Sequence, residues 1–368
     1  MSDAFYDVVI VGAGAAGCAA AMNLPQGARA LLVDRGDPAA GRCCGGLLAP
    51  DAQAAVAALG LTLPEEVRVA PEPKAVRVHD LDSGREQTYR RNYVNLDRAK
   101  FDAWLLALAA RRAEFRPHTR LAGLRLETTG KECEPAEVRL SCAGSEETIR
   151  AAAVIAADGA RSAVRYGSFS PLREDAPDPL RMLAIQVRLA AADPPPIHEV
   201  LFADRLTDFY AWAIPKPGAV LVGAAFSQTR GARERFEEIL AWYRENLGLS
   251  GEALERSARA LTRPRTRAEV FPDARGVLMT GEAAGLVSPS SGEGLSFALE
   301  SGAAAGRAIA DAMRESPKDP FSWRTRACRH YEKTFAHLAR RVARKFIKAR
   351  VIFSPALRRL ALRLPWCP

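Results

Sequence analysis

Two adjacent cysteines, Cys43 and Cys44, precede two adjacent glycines in the segment GRCCGGLLAP, residues 41–50. Thiols placed in this way could bind a metal ion, form a redox pair or line a pocket. A zinc site needs further thiolate or imidazole ligands at usable spacing, which the scattered remaining cysteines and histidines do not supply. A disulfide between neighbouring residues is strained. Two interpretations remain: small residues that let the backbone approach a ligand closely, or a pocket wall in which Cys44 contacts a substrate.

A second group of candidate residues lies near the N-terminus, where the apolar strand Tyr6–Val11 runs into the sequence GAGAAG. An alanine-rich helix and a second strand follow, and that strand ends in Asp34. In this context Gly12 permits a tight turn, Gly14 lets backbone N–H groups approach a pyrophosphate, and Gly17 allows close helix packing. An acid at Asp34 suits a ribose hydroxyl and would repel a 2′-phosphate. The motif predicts a nucleotide cofactor, and by itself it leaves NAD and FAD open.

Two later motifs choose between these cofactors. An apolar strand ends in Asp158-Gly159 within AAAVIAADGARSAVR, and a short strand at Val277–Thr280 leads to Gly281-Glu282 and a glycine-rich loop. Glu282 can accept hydrogen bonds from ribityl hydroxyls, while residues 292–295 offer backbone N–H groups at the start of a helix from about Glu293. Three such motifs in this order favour a flavin.

This chain resembles the para-hydroxybenzoate hydroxylase-like superfamily of FAD-dependent enzymes, which includes aromatic hydroxylases, flavin halogenases and geranylgeranyl reductases. The resemblance rests on three motifs and their order: GAGAAG, ADGARS and GEAAGLVSPSSGEGLSFALESG. YAWAIPK, residues 210–216, and the Cys-Gly-Gly loop are most similar to the geranylgeranyl reductase family. This chain departs from that family's pattern at three positions, with Glu282 for aspartate, Ser288 for asparagine and Cys43 for proline. The loss of proline puts the substrate in doubt more than the chemistry.

The resemblance implies an α/β fold, with a Rossmann-like FAD-binding domain of three-layer ββα architecture, an inserted and mostly antiparallel β substrate domain, and a C-terminal helical region. It places Arg98 near the FAD pyrophosphate, and it places Cys44, Tyr210 and Trp212 in the substrate pocket. The residues predicted to bind FAD are Gly12, Gly14, Ala15, Ala16, Gly17, Asp34, Arg35, Arg42, Cys44, Gly45, Gly46, Arg98, Asp158, Gly159, Gly281, Glu282, Pro289, Gly292, Gly294 and Leu295. No metal site is predicted.

The function implied by the resemblance is hydrogenation of a C=C bond in an isoprenoid or other hydrophobic substrate, with hydride delivered from flavin N5. NAD(P)H or a ferredoxin-like protein is the expected electron donor, bound transiently, because the sequence has no second GxGxxG. The alternative is a flavin-dependent monooxygenase, hydroxylase or halogenase acting on an aromatic or polyketide-like small molecule. A catalytically idle flavoprotein that acts as a partner at a membrane is a further alternative.

The elements that must position these residues divide the 368-residue chain into three parts. Strands with alternating apolar residues in 74–93 and 182–226 predict the substrate sheet, and residues 232–247 predict a helix that covers it. The predicted boundaries are 1–73, 95–165 and 270–315 for the FAD-binding domain, 74–94 and 166–269 for the substrate domain, and 316–368 for the C-terminal region.

Positive charge is concentrated near the C-terminus. Residues 324–363 contain 13 Lys or Arg and one acid, a net +12 within a total of +9, so the remainder is close to −3. No nucleic-acid-binding module accompanies this charge. Apolar residues from Phe335 to Phe353 recur every three or four positions, which predicts a basic amphipathic helix that lies on an anionic membrane or closes over the FAD-binding domain. With no apparent signal peptide, we expect a cytoplasmic protein, at most peripheral at the membrane's inner face.

Overall fold

The structure is a computed structural model that describes residues 4–37, 43–126, 128–129, 132–167 and 180–363. In chain order the strands are β1 (Phe5–Val11), β2 (Ala30–Val33), β3 (Leu47–Leu48), β4 (Ala75–Asp80), β5 (Arg85–Arg90), β6 (Val94–Asn95), β7 (Glu114–Arg116), β8 (Thr119–Arg125), β9 (Thr128–Thr129), β10 (Glu132–Cys133), β11 (Ala136–Cys142), β12 (Ser145–Ala156), β13 (Leu180–Ala190), β14 (Ile197–Phe202), β15 (Ala211–Lys216), β16 (Ala219–Phe226), β17 (Ala253–Arg263), β18 (Asp273–Ala274) and β19 (Val277–Met279). The α-helices are α1 (Ala15–Met22), α2 (Pro50–Ala58), α3 (Arg98–Ala109), α4 (Ala163–Tyr166), α5 (Ala232–Leu247), α6 (Leu295–Glu315), α7 (Trp323–Ile352) and α8 (Pro355–Ala361). Arg42, a predicted cofactor ligand, lies outside the described residues.

The first sheet places the three glycine-bearing turns at one edge. In the order β18-β19-β12-β1-β2-β7, its strands pair in parallel except at β18–β19, and β8 and β11 extend it through antiparallel pairing to β12. Strands β1, β12 and β19 are apolar and fully buried where they lie side by side, as expected for parallel strands covered on both faces. Because the carboxyl ends of parallel strands meet at one edge, the turns after these strands converge there.

The second sheet faces that edge. Its strand order is β17-β13-β16-β15-β14-β4-β5, and its pairs are antiparallel apart from β14–β4. Helix α5 packs on its outer face through Phe236, Ile239 and Tyr243, leaving the other face toward the first sheet. This arrangement confirms the predicted fold class, while the numbered domain boundaries stay a prediction.

The predicted elements are present with shifted ends. The helix predicted at 232–247 is α5 with the same bounds, whereas the helix expected from about Glu293 begins at Leu295. The apolar pattern of residues 101–112 predicts a helix that starts at Phe101. Helix α3 instead begins at Arg98, because the Asp97 carboxylate caps the N–H groups of its first turn. Local capping chemistry therefore set a boundary that apolar periodicity did not reveal.

The C-terminal stripe closes over the first domain. Phe335, Leu338 and Val342 of α7 are buried in the core that α7 forms with α6 and the first sheet, and Phe346 packs against that core. Of the two predicted environments for this stripe, the protein interior is the one observed, and contact of the exposed basic side with a membrane stays a prediction. No α-helix in the described ranges is long and apolar enough to span a membrane.

A buried arginine fastens the end of the chain to the second sheet. Arg358 of α8 is 3% exposed, and its Nη2 lies 2.5 Å from Asp82 Oδ2 and 3.0 Å from carboxylate oxygens of both Asp80 and Asp204. Its Nη1 donates a hydrogen bond of 2.9 Å to the carbonyl oxygen of Ile352. One guanidinium thus joins α8, the end of α7 and two loops of the sheet.

We predict that Arg358→Met lowers the free energy of unfolding by about 3 kcal/mol, because it leaves the buried carboxylate of Asp80, and the more exposed ones of Asp82 and Asp204, without their cation. Urea denaturation followed by circular dichroism measures the change. The neighbouring Arg359 is exposed, so Arg359→Met is the matched control and should change stability by less than about 0.5 kcal/mol. Equal effects of the two substitutions would show that the Arg358 cluster does not anchor the C-terminus.

Candidate active site

A cavity of about 300 Å³ lies between the two sheets, and we call it the main cavity. Residues of the first glycine-rich turn line one side, and residues of β13, β14 and β15 line the other. A second cavity of about 330 Å³, the outer cavity, adjoins it through the shared lining residues Cys43, Arg259 and Ala260. Together they form a continuous cleft that begins at Asp34 and ends at the inner face of the second sheet.

The first turn is built from contacts that exclude a side chain. Gly12 has a φ of +104°, and a Cβ atom there would lie 2.4 Å from the carbonyl oxygen of Ala157. Gly17 packs on the same turn, since a Cβ at Gly17 would lie 1.8 Å from the Gly12 carbonyl oxygen. Helix α1 follows with no side-chain cap at Gly14, so its first backbone N–H groups point toward the main cavity that Gly14 and Ala15 line.

Asp34 lies at the end of β2 and lines the outer cavity beside Arg35. Its Oδ2 accepts a hydrogen bond of 2.9 Å from the Ala13 N–H, and its Oδ1 accepts one of 3.0 Å from Gly36. These bonds hold the carboxylate against the glycine-rich turn. An acid at the end of the second strand, held beside the glycine-rich turn, lies where it can bind a ribose next to a pyrophosphate site.

The second motif is joined to the third by a buried arginine that sequence reasoning missed. Arg165 of α4 is 3% exposed and donates hydrogen bonds to the carbonyl oxygens of Ala283, at 2.9 Å, and Glu269, at 2.8 Å. Asp158 lines the outer cavity, and its Oδ2 accepts a hydrogen bond from the Ala163 N–H. Arg165 lies only three residues beyond the ADGARS motif, but nothing in the sequence marks it as buried.

The third motif connects the cleft to the second sheet. Glu282 lines the main cavity, and its Oε1 accepts hydrogen bonds from the N–H, at 2.8 Å, and the hydroxyl, at 3.0 Å, of Thr262 on β17. Burial raises the pKa of Glu282, although the hydrogen bonds from Thr262 oppose that shift. One edge of this carboxylate therefore positions β17, and the residue has a structural task besides any contact with a ribityl chain.

The cysteine loop brings a thiol and a guanidinium together. Arg98 Nη1 lies 2.8 Å from Cys44 Sγ, and Arg98 Nη2 bonds both carboxylate oxygens of Asp102 at 3.0 and 3.2 Å. Arg98 lines the main cavity, but its described partners are this thiol and carboxylate. The Gly46 N–H also reaches Cys44 Sγ at 3.5 Å. This pairing was not foreseen, because Cys44 and Arg98 are far apart in the sequence.

The electrostatics of the two neighbouring thiols differ. Burial raises the pKa of Cys44, but Arg98 and the Gly46 N–H outweigh burial, and the net pKa is lowered. Burial raises the pKa of Cys43, and the Cys44 charge adds to that effect. Burial also lowers the pKa of Lys216 to about 8, although Cys44 opposes this shift. Cys44 is therefore the more acidic thiol of the pair.

The two glycines of the loop are small because β15 presses against them. A Cβ at Gly45 would lie 2.7 Å from Ile214 Cδ1, and one at Gly46 would lie 2.5 Å from Lys216 Nζ. The space beside them is thus partly filled by Ile214 and Lys216. Lys216 Nζ in turn donates hydrogen bonds to Asn95 Oδ1 and the Leu96 carbonyl oxygen.

An aromatic wall completes the main cavity. Tyr210 and Trp212 both line it, and their rings meet edge to face at 5.7 Å. The Tyr210 hydroxyl donates a 2.5 Å hydrogen bond to the Ser291 carbonyl oxygen, which joins the wall to the third motif. Trp212 lies flat against β16, where a Cβ at Gly223 would lie 2.4 Å from its ring.

Most predicted site residues line the cleft. Those in the main cavity are Gly14, Ala15, Ala16, Cys44, Gly45, Gly46, Arg98, Gly159, Tyr210, Trp212, Glu282, Gly292, Gly294 and Leu295, and those in the outer cavity are Asp34, Arg35 and Asp158. Gly12, Gly17, Gly281 and Pro289 lie behind the lining and shape the turns. Among the described residues, no three His, Cys, Asp or Glu side chains are arranged to hold a metal ion.

Sequence reasoning missed His198 on β14, which lines the main cavity. It also missed the cluster in which Glu293 bonds the Tyr93 hydroxyl, at 3.1 Å, and Arg91 Nη2, at 3.4 Å. Arg91 and Tyr93 lie between the recognised motifs, where the sequence has no distinctive pattern. Their place beside the cavity depends on the order of strands in the second sheet, where β14 pairs with β4 and β15 and its residue His198 lines the cavity.

A two-layer cleft with three glycine-bearing turns at the carboxyl edge of a parallel sheet defines a dinucleotide-binding oxidoreductase. The profile of the FAD binding domain family matches residues 5–321, and the chain belongs to this family. Protein CbrA of Escherichia coli O139:H28 is 31% identical over 365 residues, covering 97% of this chain and 96% of CbrA. The chain is thus an FAD-dependent oxidoreductase.

Solved structures share the fold. A geranylgeranyl bacteriochlorophyll reductase-like protein from Thermoplasma acidophilum superposes with a TM-score of 0.81 at 21% identity, covering 98% of this chain and 92% of that protein. PqsL, a probable FAD-dependent monooxygenase from Pseudomonas aeruginosa, gives a TM-score of 0.68 at 18% identity, covering 96% and 98%. At these identities the similarity establishes the fold and leaves the reaction open.

The residues present fit FAD. The tight backbone turn at Gly12 and the start of α1, whose N–H groups have no side-chain cap, form a site that could bind a pyrophosphate. Asp34 provides a ribose ligand in the adjoining cavity. Asp158 Oδ1 is buried without a hydrogen-bond partner among the described residues, as expected beside a ligand that donates to it. Glu282 and residues 292–295 line the end of the cleft where the flavin half would lie.

We predict that Gly12→Ala protein binds at least about tenfold less FAD per chain than the wild type, because the methyl group would overlap the Ala157 carbonyl. The ratio of flavin absorbance to protein concentration after purification measures this. Gly27→Ala is the matched control, because Gly27 also has a positive φ but no atom lies within 4 Å of its added Cβ. Loss of FAD from both variants would attribute the effect to backbone strain at a positive φ instead of the overlap with Ala157.

The thiol electrostatics predict that Cys44 stays reactive at lower pH than Cys43. The thiolate is the nucleophile, so a lowered pKa shifts the alkylation profile of Cys44 to lower pH, and a raised pKa shifts that of Cys43 upward. Iodoacetamide labelling at a series of pH values, read by peptide mass spectrometry, compares the two midpoints within one protein. A Cys44 midpoint equal to or above that of Cys43 would contradict the ion pair with Arg98.

Proposed function

We propose that this protein is an FAD-dependent reductase that hydrogenates a C=C bond in an isoprenoid or similarly hydrophobic substrate. The observation that carries the proposal is Cys44, an acidified thiol that lines the same main cavity as the aromatic residues Tyr210 and Trp212. Hydrogenation needs a proton as well as a hydride, and this thiol can supply the proton. Bound FAD, once reduced, supplies the hydride from N5.

The surroundings of Cys44 suit a general acid. Proton transfer from the thiol to one alkene carbon, while the other accepts hydride, leaves a thiolate. Arg98 stabilises that thiolate through a 2.8 Å contact, and Asp102 holds Arg98 in place through two hydrogen bonds. Lys216, with a pKa near 8, is a second cation close to the loop and belongs to the same electrostatic cluster. A return proton from solvent then restores the thiol.

The walls of the main cavity suit an apolar substrate. Phe209, Trp212, Ile214 and Leu261 line the side formed by the second sheet. Phe353, at the end of α7, stacks on Phe209 at 4.9 Å and covers this part of the sheet. Apolar side chains hold a hydrophobic chain and exclude water from the reacting atoms. NAD(P)H or a ferredoxin-like protein is the proposed transient electron donor.

Anaerobic reoxidation tests the reaction. The purified flavoprotein is reduced with dithionite without oxygen and then mixed with geranylgeraniol, and flavin absorbance and product mass are followed. We expect reoxidation together with a product heavier by two hydrogen atoms per bond reduced. Reoxidation that requires oxygen, with a hydroxylated or halogenated product, would replace the proposal with the monooxygenase or halogenase alternative.

The same assay tests Cys44. Removal of a general acid costs about 10²–10⁴-fold in rate, so Cys44→Ala should slow reoxidation by that factor while the flavin content stays unchanged. Cys43→Ala is the matched control, because the adjacent thiol has a raised pKa and lacks the contact with Arg98. Equal rates in the two variants would remove Cys44 from the proton-transfer role, and lost flavin would make the loop structural.

A further inference from the structure

A buried imidazole without a described hydrogen-bond partner lines the main cavity, where its ring meets that of Tyr93 edge to face at 5.6 Å. His198 is 8% exposed, and neither of its ring nitrogens has a hydrogen-bond partner among the described residues. Buried polar groups in native proteins are nearly always hydrogen-bonded, and an unpaired one destabilises the fold. Because His198 lies on the wall of a ligand cavity, a ligand that completes its hydrogen bonds would explain why it is unpaired in the protein alone.

The position of His198 in the sheet directs it toward the cavity. Side chains alternate along β14, and Glu199 and Leu201 face α5 on the outer side. His198 therefore shares the inner face with Val200, and its neighbour on β4 is the buried Val76. The imidazole is thus a polar group set into an otherwise apolar stretch of the wall.

The chemistry around His198 selects an uncharged ligand group. Burial and the positive charge of Arg91 lower the pKa of His198 to about 3, so at neutral pH the ring carries one N–H donor and one acceptor nitrogen. Arg91 itself is paired with Glu293, and the Tyr93 hydroxyl donates to the same carboxylate. The cation that lowers the pKa of His198 is therefore itself paired with a carboxylate, and the neutral imidazole adds no counter-charge for an anionic substrate group.

We infer that His198 binds an uncharged hydroxyl group of the substrate, so that the substrate is an alcohol with a long apolar body. A hydroxyl both donates and accepts, which matches the two nitrogens of a neutral imidazole. The identity of the apolar body rests on the proposed function, whereas the hydroxyl assignment rests on His198.

Ligand binding to the oxidised flavoprotein tests this inference without turnover. Perturbation of flavin absorbance gives the dissociation constants of geranylgeraniol and of the hydrocarbon with the same skeleton but no hydroxyl. We expect the wild type to bind the alcohol about tenfold or more tightly than the hydrocarbon. In His198→Phe we expect that ratio to fall to about one, with hydrocarbon affinity and flavin content retained.

Two further variants separate recognition from structure. His198→Gln keeps a donor and an acceptor and should recover part of the preference, and it replaces His198→Phe if that variant does not fold. His79→Phe removes an imidazole from the opposite face of the same sheet, where His79 bonds Glu199 at 2.9 Å, and should leave the preference unchanged. The thermal midpoint of His198→Phe without ligand should equal or exceed that of the wild type, whereas a structural histidine would lower it.

A second pair of probes separates this inference from the proposed reaction. If 2-naphthol and naphthalene bind and the isoprenoid pair does not, the isoprenoid substrate is rejected. The role of His198 is then tested by the ratio of the dissociation constants of naphthalene and 2-naphthol in the wild type and in His198→Phe. An alcohol preference that persists in His198→Phe overturns the inference. Absence of binding by all four probes to the wild type overturns it as well, whatever the outcome of anaerobic reoxidation.

Discussion

The site depends on how closely helix α1 lies between the first sheet and helix α6. A Cβ at Gly302 would lie 2.0 Å from the Ala16 carbonyl oxygen, and one at Gly306 would lie 2.3 Å from the Ala20 carbonyl oxygen. On the other side of α1, Gly17 rests directly on the Gly12 turn. Because the backbones touch, the start of α6 and the start of α1 are brought to the same cleft. Ordinary side-chain contacts would separate them by several ångströms.

This packing makes the cleft a junction between the two sheets. Arg165 links the second motif to the third, Glu282 of the third motif bonds Thr262 of the second sheet, and Lys216 of β15 bonds Asn95 beside the cysteine loop. The first link joins two turns that would hold the cofactor, and the other two join the cofactor side of the cleft to strands that form the substrate wall. Cofactor and substrate are therefore positioned by one hydrogen-bonded frame, which favours a fixed approach between flavin and alkene.

The fold and the cofactor could be predicted because their requirements are local: a strand, a glycine turn and a helix are adjacent in sequence. The ion pair of Cys44 with Arg98 and the clamp of Arg165 could not, since they depend on distant segments meeting in space. His198 was missed for a different reason. A single histidine in an apolar strand resembles a core residue, and only its unpaired nitrogens and the orientation of β14 distinguish it.

The most direct test of the central claim is a crystal structure of the flavin-loaded protein. We predict one FAD spanning both cavities, with its adenosine ribose at Asp34 and its ring between the Cys44–Gly46 loop and the wall formed by Trp212. Electron density for the flavin ring outside the main cavity, or a dinucleotide that does not contact the Gly12–Gly17 turn, would contradict it.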